Sequence, residues 1–223
     1  MPTPSRTLAV VMPDLEQRHY DHIIEEANSC GFEARIIAPE PTDADRAWLA
    51  SCEILFTQKP KAIALCGQNL RWIQTSVAGV DAFCPGGKYA GTIPPNATLT
   101  NNAGAYGISV GEHMAMLVLM LWRGEATFMR DQMRHEWGAH CEQPTIYGST
   151  FGVLGCGNIG TTFARQMRGM GAGRIIGISK SGIAREEGVY DEMARIEDLD
   201  QVLPRIDVLA MSVPGSSAEN PLL

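Results

Sequence analysis

Short apolar runs alternate with helix-length stretches of mixed polarity along most of the chain. That alternation predicts a parallel sheet flanked by helices, an α/β fold. Residues 7–12 predict a strand and residues 16–30 a helix that stops at Gly31, a residue suited to the left-handed turn after a helix. Residues 33–38 predict a second strand. Residues 44–51 predict a helix with Trp48 and Leu49 facing inward, and residues 54–57 a third strand. A short helix over 61–66 comes before Gly67. Residues 71–75 then predict a fourth strand, which runs into the turn Ser76-Val77-Ala78-Gly79. The stretch 85–95 is rich in Gly and Pro and reads as a loop, followed by a short strand over 98–100.

The second half begins with one long helix over 109–133, broken near Gly124. Its apolar positions (Met114, Met116, Leu117, Val118, Leu119, Met120, Leu121) cover too much circumference for one packed face. Such a helix is expected to be buried all round or to sit in a subunit interface. Residues 135–147 are irregular. Strands are predicted over 151–154, 174–178 and 206–213, with a short one near 189–193 and a helix over 158–170. The expected division is a flavodoxin-like domain over 1–100 and a Rossmann dinucleotide-binding domain over 101–223 whose second half is missing.

Composition excludes several classes of function. The 223 residues carry a formal net charge of −7. Nucleic-acid binding needs Lys and Arg to neutralise phosphates, so no nucleic-acid partner is expected. The longest strongly apolar run, residues 114–122, is well short of the roughly 20 residues that cross a bilayer. The N-terminal residues lack a signal-peptide layout. The six cysteines (30, 52, 66, 84, 141, 156) form no CxxC pair, which argues against zinc and against a disulfide framework. Reduced thiols and a cytoplasmic location are expected.

The chemistry concentrates in Gly155-Cys156-Gly157-Asn158-Ile159-Gly160, a G-x-G-x-x-G placed between a predicted strand and a predicted helix, with a second strand about 20 residues on. Gly155 permits the tight turn, Gly157 lets backbone approach a pyrophosphate, and Gly160, helped by Ala164, lets helix and strand pack closely. The helix start offers N–H groups and a positive dipole end to phosphates. An NAD-specific site normally carries Asp or Glu after the second strand. Here Ser179-Lys180-Ser181 follows, and no carboxylate lies between Gly160 and Ile183. These residues suit a ribose 2′-phosphate, so NADP(H) is favoured and NAD(H) is possible. Cys156, at a helix start, is either a thiol of lowered pKa or a plain filler of the x position. Glu112 and His113 are adjacent on a helix and do not face each other, so a structural role is expected of His113.

Four segments in order resemble the D-isomer-specific 2-hydroxyacid dehydrogenases, most nearly the glyoxylate/hydroxypyruvate reductase-like members. They are residues 70–81 (LRWIQTSVAGVD), residues 99–113 (LTNNAGAYGISVGEH), the glycine motif, and residues 206–214 (IDVLAMSVP). The resemblance implies an oxidoreductase that moves a hydride between NAD(P)H and a small 2-keto acid or D-2-hydroxy acid. It implies that backbone N–H groups of Val77, Ala78 and Gly79 hold the substrate carboxylate. It also implies that Val110 and Ser212, Val213 and Pro214 line the cofactor, and that the long helix around 109–123 forms a homodimer.

The family's catalytic Arg, Glu and His lie beyond the strand that matches 206–213, so no catalytic residue is expected in this chain. The five histidines (19, 22, 113, 135, 140) all precede the glycine motif. The alternative is a non-catalytic NADP(H)-binding or interaction protein derived from that family.

Overall fold

The computed structural model describes residues 6–138 and 142–214, and the chain divides into two compact units between Ala103 and Gly104. In the first, the elements run β1 (Arg6–Val11), α1 (Gln17–Ser29), β2 (Phe32–Ile36), α2 (Asp43–Leu49), β3 (Ile54–Thr57), α3 (Pro60–Ile63), β4 (Trp72–Gln74), a 3₁₀ turn (Asp81–Phe83) and β5 (Thr98–Thr100). All strand pairs are parallel, in the order β2-β1-β3-β4-β5, the flavodoxin-like arrangement. Ala9, Val11, Leu49, Leu55, Ile63, Leu70 and Ile73 form the core. Burying each of the larger aliphatic side chains contributes about 1.5–3 kcal/mol.

Local chemistry sets the helix ends. Thr42 and Asp45 cap α2 reciprocally: the Thr42 hydroxyl accepts from the Asp45 N–H at 3.3 Å, and the Asp45 carboxylate accepts from the Thr42 N–H at 3.0 Å. These bonds from Thr42 hold the Asp45 carboxyl below its ordinary range. Leu49 is fully buried, and Trp48 is half-buried against the same core. The helix predicted over 61–66 starts earlier and ends earlier. Pro60 suits a first helical position. Farther on, the chain packs so closely at Gly67 that a Cβ there would stand 2.2 Å from the Ala50 carbonyl oxygen.

The second unit contains α4 (Gly107–Trp122), α5 (Glu125–Met133), β6 (Thr150–Leu154), α6 (Asn158–Gly169), β7 (Arg174–Ser179), β8 (Glu192–Arg195), α7 (Leu199–Val202) between two 3₁₀ turns, and β9 (Val208–Met211). Its sheet is parallel, in the order β8-β7-β6-β9. Phe151, Val153 and Ile175 pack on one face with Phe163 and Met167 of α6. Leu154, Ile176 and Ile178 pack on the other with Leu199 and Val202. Burial on both faces explains the near-continuous apolar run of β6 and β7.

The break expected near Gly124 is present: its left-handed conformation (φ 65°) separates α4 from α5. Two expectations need correction. Within the described residues α4 is not buried all round. Gly107, Gly111, Ala115 and Val118 form its buried stripe, while Leu117 is 44% and Leu121 79% exposed. The stripe is narrow because its small residues admit α6 closely: a Cβ on Gly107 would lie 2.2 Å from Asn158 Oδ1, and one on Gly111 2.7 Å from Gln166 Oε1. Finally, β8 lies three residues later than predicted. It is a polar edge strand whose Glu192 accepts from Arg174 at 2.6 Å and from Arg205 at 2.5 Å.

Candidate functional site

In the second unit, the named residues meet at the carboxyl edge of the sheet. Leu154 pairs with Ile178 and with Met211, so Gly155, Ser179 and Ser212 follow side by side. The strand order reverses between β6 and β9, the place where open α/β sheets take their ligands. Gly155 has φ +97° and donates its N–H to Ile178 O at 2.9 Å. Its carbonyl accepts from the Ser212 hydroxyl at 2.8 Å. A Cβ on Gly160 would stand 2.1 Å from that same carbonyl oxygen and 2.7 Å from Ser212 Oγ. Gly160 is therefore fixed by packing, together with the fully buried Ala164.

Gly157 differs. A Cβ there would meet nothing within 4 Å, and its φ of −82° is ordinary. Its lack of a side chain leaves open space over the start of α6. The first intrahelical donor is Thr161, whose N–H goes to Gly157 O at 2.9 Å. The N–H groups of Asn158, Ile159 and Gly160 precede it and have no acceptor among the described residues. With the helix dipole they form an anion-receptive edge of the kind a pyrophosphate needs. Val110 lies half-buried less than one turn beyond Gly107, which packs on Asn158. Val213 is half-buried and Pro214 exposed, next after Ser212.

After β7, Ser179 Oγ accepts from the Gly182 N–H at 3.1 Å, and Ser181 Oγ accepts from the Ile183 N–H at 3.3 Å. Both hydroxyls thus brace the turn. Lys180 is exposed and has no carboxylate partner among the described residues. Arg165, which could also reach an anion from α6, is paired with Glu186.

The Cys156 thiol is buried at the loop rather than presented from it. Burial pushes its pKa up, against the lowering influence of Tyr190, and its Sγ lies 3.6 Å from both Val153 O and Ile178 O. This agrees with Cys156 as a plain filler of the x position and not with the alternative of a lowered thiol pKa, because desolvation outweighs the helix start. Glu112 and His113 are both exposed on α4.

In the first unit, the turn after β4 has an asymmetry the sequence did not disclose. Its carbonyls are spent. Asn102 Nδ2 donates to Ser76 O at 3.3 Å, and Asn101 Nδ2 donates to Ala78 O at 2.6 Å. Val77 O receives both the Asn102 N–H at 3.1 Å and the Thr75 hydroxyl at 2.8 Å. The N–H groups of Val77, Ala78 and Gly79 have no acceptor among the described residues. A turn with its oxygens tied back and its N–H groups without acceptors has the chemistry to receive an anion. Asn101 and Asn102 were read only as a domain boundary. The signal was present, since Asn side chains commonly bond to nearby backbone.

Residues 115–223 match the family model described as D-isomer specific 2-hydroxyacid dehydrogenase, NAD binding domain. A chloroplastic/mitochondrial formate dehydrogenase of Arabidopsis thaliana is 25% identical over 120 residues, which cover 52% of this chain and 31% of that protein. The structure of a D-isomer specific 2-hydroxyacid dehydrogenase family protein from Aeromonas salmonicida superposes with a TM-score of 0.76 at 24% identity, over 95% of this chain and 65% of that one. A probable 2-hydroxyacid dehydrogenase from Rhizobium etli, solved with NADP, HEPES and L(+)-tartaric acid, gives 0.68 at 25% identity, over 95% and 63%. The chain thus spans about a third of the curated relative and just under two thirds of these solved ones. Just under half of the chain, residues 115–223, is thus similar to the NAD-binding domain of the D-isomer specific 2-hydroxyacid dehydrogenase family.

Proposed function

We propose that the protein carries out hydride transfer between NADP(H) and a small 2-keto acid or D-2-hydroxy acid. The observation that carries this reading is the pair of anion-receptive backbone edges: the start of α6 behind the glycine loop, and the turn at Val77, Ala78 and Gly79. A pure nucleotide-binding module needs only the first. When bound, the nicotinamide supplies or takes the hydride. Asn158, Ile159 and Gly160 hold the pyrophosphate, with Gly157 leaving room for it. Ser179, Lys180 and Ser181 face the ribose 2′-phosphate, and the cation of Lys180 favours NADP(H) over NAD(H). Val110, Ser212, Val213 and Pro214 line the cofactor, and the turn N–H groups orient the substrate carboxylate.

The Arg, Glu and His that the reaction requires are assigned to no residue of this chain. The exposed leucines and methionines of α4 support a homodimer through that helix. The free cysteines among the described residues support a cytoplasmic location. No helix among the described residues is long and apolar enough to cross a membrane. The test is NADPH oxidation by the full-length protein with glyoxylate, hydroxypyruvate and a panel of other 2-keto acids. Turnover with at least one is expected, and none with any of them overturns the reading.

A further inference from the structure

The first unit has a strand-order reversal of its own. β1 is followed by β2 on one side and the chain then returns past it to β3, so the carboxyl ends of β1 and β3 flank a topological switch point. Ligands of open parallel sheets bind outside such points. A cavity of about 310 Å³ lies there, within the size range of small-molecule sites, roughly 300–1,000 Å³. Val11 forms its floor, and the segments after β2 and β3 supply Pro39, Pro41 and Lys59 to Lys61. Leu49, Leu65 and the Tyr89 ring close the apolar sides. None of Val77, Ala78 and Gly79 takes part in it.

The lining is built to hold its shape. Thr57, 1% exposed, donates its hydroxyl to Val11 O at 3.0 Å and accepts from the Lys59 N–H at 2.8 Å. One buried hydroxyl thus ties the end of β1 to the segment that carries the lysines. Three prolines stiffen the rim and present no N–H that would need a partner. The charged lining residues are both cations, Lys59 and Lys61, and neither has a carboxylate partner among the described residues. Lys88 Nζ lies 5.5 Å from the ring centre of Tyr89, a lining residue. Glu40, between the lining Pro39 and Pro41, is exposed and is outnumbered by these cations.

We propose that this cavity is a second ligand site, separate from the substrate turn, for a small organic anion with an apolar planar body, such as an aromatic carboxylate. The body lies among Val11, Leu49, Leu65 and Tyr89, and the anionic end meets Lys59 and Lys61 at the open rim. Charge-assisted bonds to two ammonium groups give the site its preference for an anion over a neutral molecule of the same shape.

The probe is benzoate, with benzamide as its neutral counterpart, titrated into the 223-residue chain by calorimetry and by ligand-observed NMR. Benzoate is expected to bind with a Kd at or below about 1 mM, and benzamide at least tenfold more weakly. The double variant K59M/K61M keeps the apolar stems and removes the charge. It is expected to retain the unfolding midpoint of the parent and to lose benzoate binding tenfold or more. Saturating glyoxylate is expected to leave benzoate binding unchanged. Absence of benzoate binding, equal binding of benzamide, or full affinity in the double variant each overturns the proposal. Displacement by glyoxylate also overturns it, by placing the anion at the substrate turn. A failure of the oxidoreductase reading leaves all these readouts intact, because none depends on turnover.

Discussion

Asn101 donates its side-chain amide to the Ala78 carbonyl at 2.6 Å, across 23 positions of sequence. The bond occupies the Ala78 oxygen, while the N–H groups of Val77, Ala78 and Gly79 have no acceptor among the described residues. Replacing Asn101 with Ala removes one partly buried hydrogen bond and is expected to cost about 1 kcal/mol, read by urea denaturation. Asn101→Asp is the sharper variant. It sets a carboxylate oxygen against a carbonyl oxygen and adds negative charge beside an anion receptor. Oxalate binding, measured by calorimetry, is expected to weaken more in Asn101→Asp than in Asn101→Ala. An equal effect of the two would mean that the turn is not electrostatically receptive.

Gly157 and Gly160, the second and third glycines of the loop, separate packing from ligand approach. Gly160→Ala drives a Cβ into the Gly155 carbonyl, and neither group is a flexible side-chain end. A loss of about 1–3 kcal/mol is expected, with weakened NADPH binding. Gly157→Ala meets open space and an ordinary φ. Stability is expected to change by no more than about 0.5 kcal/mol, while NADPH affinity, followed by fluorescence titration, falls at least tenfold. Unchanged affinity in Gly157→Ala would remove the pyrophosphate from this position.

Lys180 is the exposed cation after β7. A charge-assisted bond to phosphate is worth roughly 1.5–3 kcal/mol. Lys180→Ala is therefore expected to weaken NADPH binding about tenfold or more and to leave NADH binding within a factor of two. Parallel losses for both cofactors would show that Lys180 does not read the 2′-phosphate.

Asp191 links stability to pH. Burial opposes its ionisation. The Arg168 guanidinium at 2.5 Å and the Ile175 N–H at 2.7 Å outweigh that and hold its carboxyl below the ordinary range. Glu192 is lowered too, chiefly by Arg205. A depressed folded-state pKa contributes stability that is complete above the unfolded value and is lost as pH falls through the folded one. The unfolding midpoint should therefore drop as pH falls from about 5 towards 3. Asp191→Asn should flatten that drop while lowering the midpoint at neutral pH. A variant that follows the parent curve would show that Asp191 does not carry the effect.

Leu121 is the most exposed leucine of α4, at 79%. If that face meets a second copy, Leu121→Glu places a charge in the interface and dissociates it. Sedimentation equilibrium is expected to give a dimer for the parent chain and a monomer for the variant. A monomeric parent would leave the apolar face without the partner proposed for it.

Much of the strand order could be read from apolar runs, because residues buried on both sides of a parallel sheet carry no competing signal. Residues 54–57 show this, since their predicted bounds are those observed and three of the four are buried. The break at Gly124 was legible for a similar reason, a glycine inside a helical pattern. What failed was polar or nonlocal. β8 was placed too early because Glu192 and Arg195 have the composition of a loop, and the strand is set by nonlocal pairing with β7, with Glu192 joined to Arg174 and Arg205. The start of α4 at Gly107 was missed because glycine is a poor helix former. Its value lies in its distance from Asn158, 51 residues later, which no local window contains. Cys156 shows the same limit: its position at a helix start is sequence information, and its burial is not.

The bond from the Ser212 hydroxyl to the Gly155 carbonyl joins groups 57 positions apart. On the ribosome, the glycine loop is fully written once Gly160 has been added, yet one of its carbonyls lacks its partner until Ser212 emerges. At about 5–20 residues per second, that interval is roughly 3 to 10 s. During it, β6, α6 and β7 can assemble, but the loop is held from one side only. Its final shape thus waits on β9, a strand made well after the glycines that name the motif.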